Sequence, residues 1–126
     1  MSFSNAFETN VLTYGFTTGS TTRPTVWYVE LYTVAPTDAG GGTPVTGGGY
    51  VRQAVTFSVS GNTATNTAAQ EWPVATANYG TVVAVGIFDA SSSGNFLAFA
   101  ALTANKTIET GDVFRIPAGD LDITLD

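Results

Sequence analysis

The 126-residue sequence contains no cysteine and no histidine. The first absence excludes disulfides, thiolate nucleophiles and Cys-ligated zinc or iron–sulfur sites. The second removes the side chain best suited to proton transfer near neutral pH, which is also the commonest metal ligand. Charge is scarce as well. Only 11% of residues are charged, and the four cations, Arg23, Arg52, Lys106 and Arg115, lie far apart in sequence against ten acids, for a net charge of −6. A nucleic-acid track needs clustered Lys and Arg to neutralise phosphates, so no nucleic-acid partner is expected. No apolar run approaches the roughly 18 residues of a membrane span, and Met1-Ser2-Phe3-Ser4-Asn5 lacks the basic start and apolar stretch of a signal peptide. No membrane partner is expected, and synthesis as a soluble cytoplasmic protein is.

Apolar area, by contrast, is plentiful. Eight Phe, five Tyr, two Trp and many Val provide what disordered chains lack, and the length suits one core. With so few charges, the surface must be covered by Thr, Ser, Asn, Gly and Ala. One domain spanning 1–126 is expected: a helix within 1–16, then a β domain over 25–126 containing a Gly-rich loop at 35–49.

In the first segment, Phe3, Phe7, Val11 and Tyr14 recur at spacings of four, four and three, the stripe of an amphipathic helix, with Ser4 as N-cap and Gly15 as stop. The stripe can cover an end of its own domain or dock on a neighbouring subunit. Beyond Thr17–Thr25 the pattern changes to short β runs. Val26–Thr33 is rich in β-branched and aromatic residues and reads as a strand covered on both faces. Tyr50–Val59 alternates, with Val51, Val55, Phe57 and Val59 on one side, and reads as a strand with one wet face. Gly61-Asn62 turns into Thr63–Ala69. Thr81–Ala90 and Asn95–Ala104 flank a Ser-Gly loop and read as the central buried pair, followed by a short strand at Lys106–Glu109. Val113–Ile116 and Leu121–Leu125 end the chain, the latter with Leu121, Ile123 and Leu125 inward. Seven or eight short strands separated by turn signals predict a mainly β fold, an antiparallel, jelly-roll-like β-sandwich with one short N-terminal α-helix.

Ala35–Gly49 is the most distinctive stretch, with six glycines in two triplets. Long loops without structure of their own tend to be functional or disordered. Both a flexible surface loop and a loop held by subunit contacts, with Pro44 and Tyr50 as contact residues, remain open at this point.

Catalytic equipment is thin. Glu30 and Asp89 are acids within apolar runs, but each sits near a strand end, where structural acids are common. Glu71-Trp72 resembles a corner of a sugar site, yet Trp72 before Pro73 reads better as a core or interface anchor. Asp120, Asp122 and Asp126 share one face of the last strand and offer oxygens to a cation, but solvated alternation explains them better. No Walker loop or dinucleotide fingerprint is present. No catalytic residue, cofactor or metal is expected.

The order of landmarks carries a resemblance. A Met-Ser-Phe-Ser-Asn-Ala-Phe-Glu start leads to Val29-Glu30-Leu31-Tyr32-Thr33-Val34-Ala35-Pro36-Thr37-Asp38-Ala39-Gly40-Gly41-Gly42-Thr43 and to Gly47-Gly48-Gly49-Tyr50-Val51-Arg52-Gln53. Further on stand Trp72-Pro73-Val74-Ala75-Thr76-Ala77 and Val85-Gly86-Ile87-Phe88-Asp89-Ala90. Over its whole length the chain resembles small structural proteins of tailed-phage and prophage particles, generically labelled tail fibre or minor virion proteins; Glu71-Trp72-Pro73 departs from a Phe-Pro type step. The resemblance implies a virion protein made in a bacterial host. A shaft of repeats or heptads is missing, so a capsid-decorating (cement) protein on the head exterior is favoured, bound to the major capsid protein and to copies of itself as a homotrimer or other homo-oligomer. The alternatives are a tail, baseplate or fibre-adaptor subunit bound to tail proteins, or a glycan-binding host-attachment module using Trp27, Trp72, Tyr50 or Tyr79. Candidate partner contacts are Phe3, Phe7, Val11, Tyr14, Pro44, Tyr50, Trp72 and Tyr79.

Overall fold

The computed structural model describes residues 1–125. In chain order it contains β1 (Ser2–Phe3), α1 (Asn5–Phe16), β2 (Trp27–Val34), β3 (Thr43–Pro44), β4 (Gln53–Val55), β5 (Phe57–Ser60), β6 (Thr63–Asn66), β7 (Gln70–Glu71), β8 (Gly80–Phe88), β9 (Phe96–Ile108), β10 (Arg115–Ile116) and β11 (Asp122–Thr124). The fold is mainly β, every strand pair is antiparallel, and one helix stands near the N-terminus, as the turn and strand signals predict. Among the described residues no helix is long and apolar enough to cross a membrane.

A six-stranded sheet runs β1-β9-β8-β2-β3, with β4 also paired to β2. Its inner residues Val29, Leu31, Val85, Ile87 and Ala98 face Trp72, Phe114, Ile116 and Leu121, which come from the segments around the two smaller sheets, β10-β7 and β11-β6-β5. Burying this set removes apolar surface from water at roughly 25 cal/mol per Å², the term that holds the layers together.

Four local expectations are corrected. The alternating run from Tyr50 to Val59 is not one strand: it breaks at Thr56, so that β4 joins the large sheet and β5 joins β6, and Val51 and Val59 end exposed. A strand that changes sheets at a corner cannot keep one face inward along its length. Lys106–Glu109 is not a separate strand, because β9 continues to Ile108 through a wide bulge in which Leu102, Thr103, Ala104 and Asn105 oppose Val83 alone. Nor is the β8–β9 pair doubly buried throughout. Beyond Ala98–Phe99 no strand among the described residues lies outside β9, and Thr103–Thr107 is exposed. Finally, Gly15 does not stop the helix, which runs to Phe16 and is capped at Thr17, whose N–H donates to Thr13 O at 3.2 Å.

The Gly-rich loop is ordered by contacts within the chain. Thr43 and Pro44 form β3 against β2, Val45 is buried and donates to Leu31 O at 2.9 Å, and Thr37 and Gly40 bridge each other. Asp38 O, at the tip, accepts the Asn5 N–H at 2.9 Å and so ties this loop to the start of the helix. Gly48 shows why glycine is needed: its φ is +61°, and a Cβ there would lie 2.7 Å from Ala77 O.

Candidate interaction surface

Helix α1 begins where the sequence predicts. Ser4 Oγ accepts the Phe7 N–H at 3.2 Å and donates to Phe96 O at 2.6 Å, so one hydroxyl caps the helix and ties it to β9. Phe3 and Phe7 meet edge to face, with centroids 4.9 Å apart, and pack against the core. These two members of the predicted stripe are structural. The other two, Val11 and Tyr14, are 37% and 81% exposed.

A second stripe, which the sequence reading missed, accompanies them. Glu8, Val11, Leu12, Gly15 and Phe16 follow the i, i+3, i+4, i+7, i+8 spacing of one helix face. Leu12 is 59% and Phe16 84% exposed. Val11 and Leu12 line a shallow groove with Met1, Phe3 and Leu125, and Glu8 stands at its rim. The remaining face is formed by Thr9, Thr13 and Thr17, each of whose hydroxyls donates to the carbonyl four residues earlier, at 3.1, 2.8 and 2.7 Å. Those hydroxyls are turned onto the helix's own backbone. The outer half of α1 is thus an uncharged, largely apolar projection on an acidic protein, the kind of surface that marks an interaction site.

The acids singled out in the sequence are structural in their geometry. Glu30 lies in the middle of β2, not near a strand end as the sequence suggested, with Arg52 Nε 3.4 Å from its Oε2, the two side chains 9% and 11% exposed. Tyr50 donates its hydroxyl to Glu30 Oε2 and accepts the Leu31 N–H at 2.8 Å, filling the gap on β2 between β3 and β4. Burial, followed by this bond to the Glu30 carboxylate, raises the Tyr50 pKa above its ordinary 10.0. Neighbouring Tyr32 is pushed up to about 12, again by burial first and by the Glu30 charge second. Arg52 Nη1 also donates to Ala90 O and Ser93 O at 2.9 and 2.8 Å, and its guanidinium lies 3.8 Å from the Phe88 ring centroid. Every strong group here is taken up by another of the same chain. Asp89 likewise closes the β8–β9 turn, accepting Asn95 N–H at 2.6 Å and Asn95 Nδ2 at 2.8 Å.

Trp72 and Tyr79 leave the partner-contact set. Trp72 is 1% exposed and stacks edge to face on Phe114, and Tyr79 is buried against Tyr50. A side chain without accessible surface presents no face to a partner or a sugar ring, whereas Trp27 and Tyr50 are half-buried. Burial also raises the Tyr79 pKa. Pro44 and Tyr50 are half-buried, Pro44 in the β2–β3 ladder and Tyr50 with its hydroxyl committed. Glu71 pairs with Arg115 at 3.9 Å on the surface. Asp122 accepts the Thr65 hydroxyl at 2.6 Å; Asp126, the third member of the acidic face, lies outside the described residues. Among the described residues no three acids are placed to share a metal ion.

A family described as Podophage GP4 fiber I protein gp80 has a model that matches residues 2–124, and the chain belongs to it. No curated protein matches the chain. The resemblance to phage fibre and minor virion proteins seen in the sequence therefore holds across almost the whole chain.

Proposed function

We propose that the chain is a non-catalytic subunit of the phage fibre apparatus, held in the particle by the outer half of α1. The observation that carries this reading is the exposure of Val11, Leu12, Tyr14 and Phe16 on a chain whose other aromatic residues are all buried or half-buried. Water-exposed apolar area of this kind is covered in an assembly, and each covered residue stabilises that assembly by mass action. The remaining surface suits adhesion as well, because few charges need to be desolvated when it meets another protein.

A second reading keeps the same surface and changes the site in the particle: a capsid-decorating protein seated on the major capsid protein at the head exterior. The net charge of −6 favours it, since an acidic protein is at no disadvantage outside a shell that holds DNA within. In both readings further copies of the chain are partners, as a homotrimer or another homo-oligomer.

Copy number separates the two. Quantitative mass spectrometry of purified particles should find a few copies to a few tens if the chain belongs to the fibres. Hundreds would move it to the shell. Deleting residues 1–14 is a poor test of docking, because Ser4, Phe3 and Phe7 hold β9 and the core. Leu12→Glu with Phe16→Glu alters only exposed positions and leaves these contacts in place.

A further inference from the structure

A polar cavity of about 350 Å³ opens between α1, the linker that follows it and the β8–β9 turn, lined by Asn10, Thr21, Thr22, Asp89, Asn95 and the buried Leu97. We propose that this cavity is a subsite for one neutral sugar ring, held by hydrogen bonds from these polar side chains and stacked on Tyr14. None of Trp27, Trp72, Tyr50 and Tyr79 takes part, and the site is separate from the exposed Leu12 and Phe16.

The lining selects the chemistry of the ligand. Among the described residues no Lys or Arg lines the cavity, on a chain of net charge −6, so a phosphate, sulfate or carboxylate ligand would meet Asp89 with nothing to neutralise it. Calcium takes roughly six to eight oxygens, with carboxylates among them. Among the described residues Asp89 is the only acid in the lining, and no three acids are placed to share a metal ion. A neutral ligand that both donates and accepts at several points matches hydroxyls, amides and one carboxylate, and a sugar ring is such a ligand. The volume is near the low end of the roughly 300–1,000 Å³ of small-molecule sites, which suits a single ring.

One wall is already positioned. The two carboxylate oxygens of Asp89 accept the Asn95 N–H at 2.6 Å and Asn95 Nδ2 at 2.8 Å, which leaves a second lone pair on each oxygen and the Asn95 Oδ1 free. The facing wall has groups to offer. Thr9, Thr13 and Thr17 turn their hydroxyls onto helix carbonyls, whereas Ser20, Thr21, Thr22 and the Asn10 amide have no such partner among the described residues. From Thr18 to Thr25 the backbone also makes no hydrogen bond to other backbone among the described residues. A ligand can engage this wall without breaking bonds within the chain, so little of its binding is offset.

Tyr14 gives the site its apolar element. It lies four residues after Asn10, one turn along the same helix face, and is 81% exposed. At 3.6 residues per turn, Leu12 and Phe16 stand on the opposite side of α1, so a surface that covers them does not cover Tyr14. An aromatic ring with its hydroxyl in water can take the apolar face of a sugar while the cavity takes the hydroxyls.

The test is a nitrogen-15 NMR titration of the full-length chain with glucose, galactose, N-acetylglucosamine and rhamnose in turn, each to about 50 mM, because a single ring binds with a dissociation constant on the order of millimolar. At least one sugar should give saturable shifts at the amides of Asn10, Thr21, Thr22 and Asn95. Tyr14→Ala and Asn10→Ala, both at exposed positions, should each weaken binding roughly three- to tenfold with the melting temperature unchanged. Leu12→Glu/Phe16→Glu should bind as the wild type does, which separates this site from the particle interface. Saturable shifts with none of the four sugars, or shifts indifferent to both Tyr14→Ala and Asn10→Ala, overturn the proposal. Shifts at these amides with calcium chloride but with no sugar overturn it too, since the site is then a cation's.

Discussion

The Tyr50 hydroxyl donates to the Glu30 carboxylate while accepting the Leu31 N–H at 2.8 Å, so one phenol holds the segment after the second glycine triplet against the middle of β2. Arg52, two residues on, pairs with the same carboxylate and reaches the β8–β9 turn. Three side chains close a span that the backbone ladder leaves open.

Arg52→Ala is expected to destabilise the fold by about 3–5 kcal/mol, because it strands a nearly buried carboxylate and frees two carbonyls. Urea denaturation measures the loss. Hydrogen exchange should show it concentrated at residues 45–52 and 89–95.

Alkaline pH should destabilise the fold. Tyr32 is pushed up to about 12 and Tyr50 and Tyr79 are raised from 10.0, so above pH 10 the unfolded state loses protons that the folded state keeps. Stability therefore falls as pH rises through that range. The urea midpoint should drop between pH 10 and 12, and Tyr32→Phe should flatten the slope. A midpoint constant over that range contradicts the assignment.

The glycine triplets offer a paired comparison. Gly47→Ala has room for its Cβ but keeps φ at +73°, and should cost about 1–2 kcal/mol, the penalty of a left-handed non-glycine residue. Gly48→Ala adds a Cβ 2.7 Å from Ala77 O and should cost clearly more. Thermal melts of the two variants decide whether the loop is held by its own chain.

Trp72→Ala is expected to cost about 3–5 kcal/mol as a large-to-small change in the core. Trp72→Phe should cost much less, since the buried Nε1 has no partner to lose. A binding defect in Trp72→Phe without a stability change would return this residue to the surface.

What the sequence made legible follows from periodicity. The Ser4 cap, the start of α1, the long β8–β9 hairpin and the inward Leu121 were readable because local pattern and tertiary burial agree there. The break at Thr56 was hidden, since alternation of Val51, Val55, Phe57 and Val59 looks the same whether a strand stays in one sheet or changes sheets. The bulge at Leu102–Asn105 leaves no mark in an apolar-small run. The Gly-rich loop showed its need for special backbone angles but not the partners that fix them, because Glu30, Ala77 and Asn5 are distant in sequence. The helix stripe was half seen. Phe7, Val11 and Tyr14 share one face, Phe3 belongs to strand β1 and meets Phe7 from outside the helix, and the exposed face of Leu12, Gly15 and Phe16 has a glycine where a large residue would have signalled it.

The most direct test of the central claim, that the outer half of α1 holds this protein in the particle, is its occupancy in particles grown with Leu12→Glu/Phe16→Glu in place of the wild-type chain. Purified variant with an unchanged melting temperature, but missing from particles by quantitative mass spectrometry, is the predicted result. Wild-type occupancy of the same folded variant would contradict it.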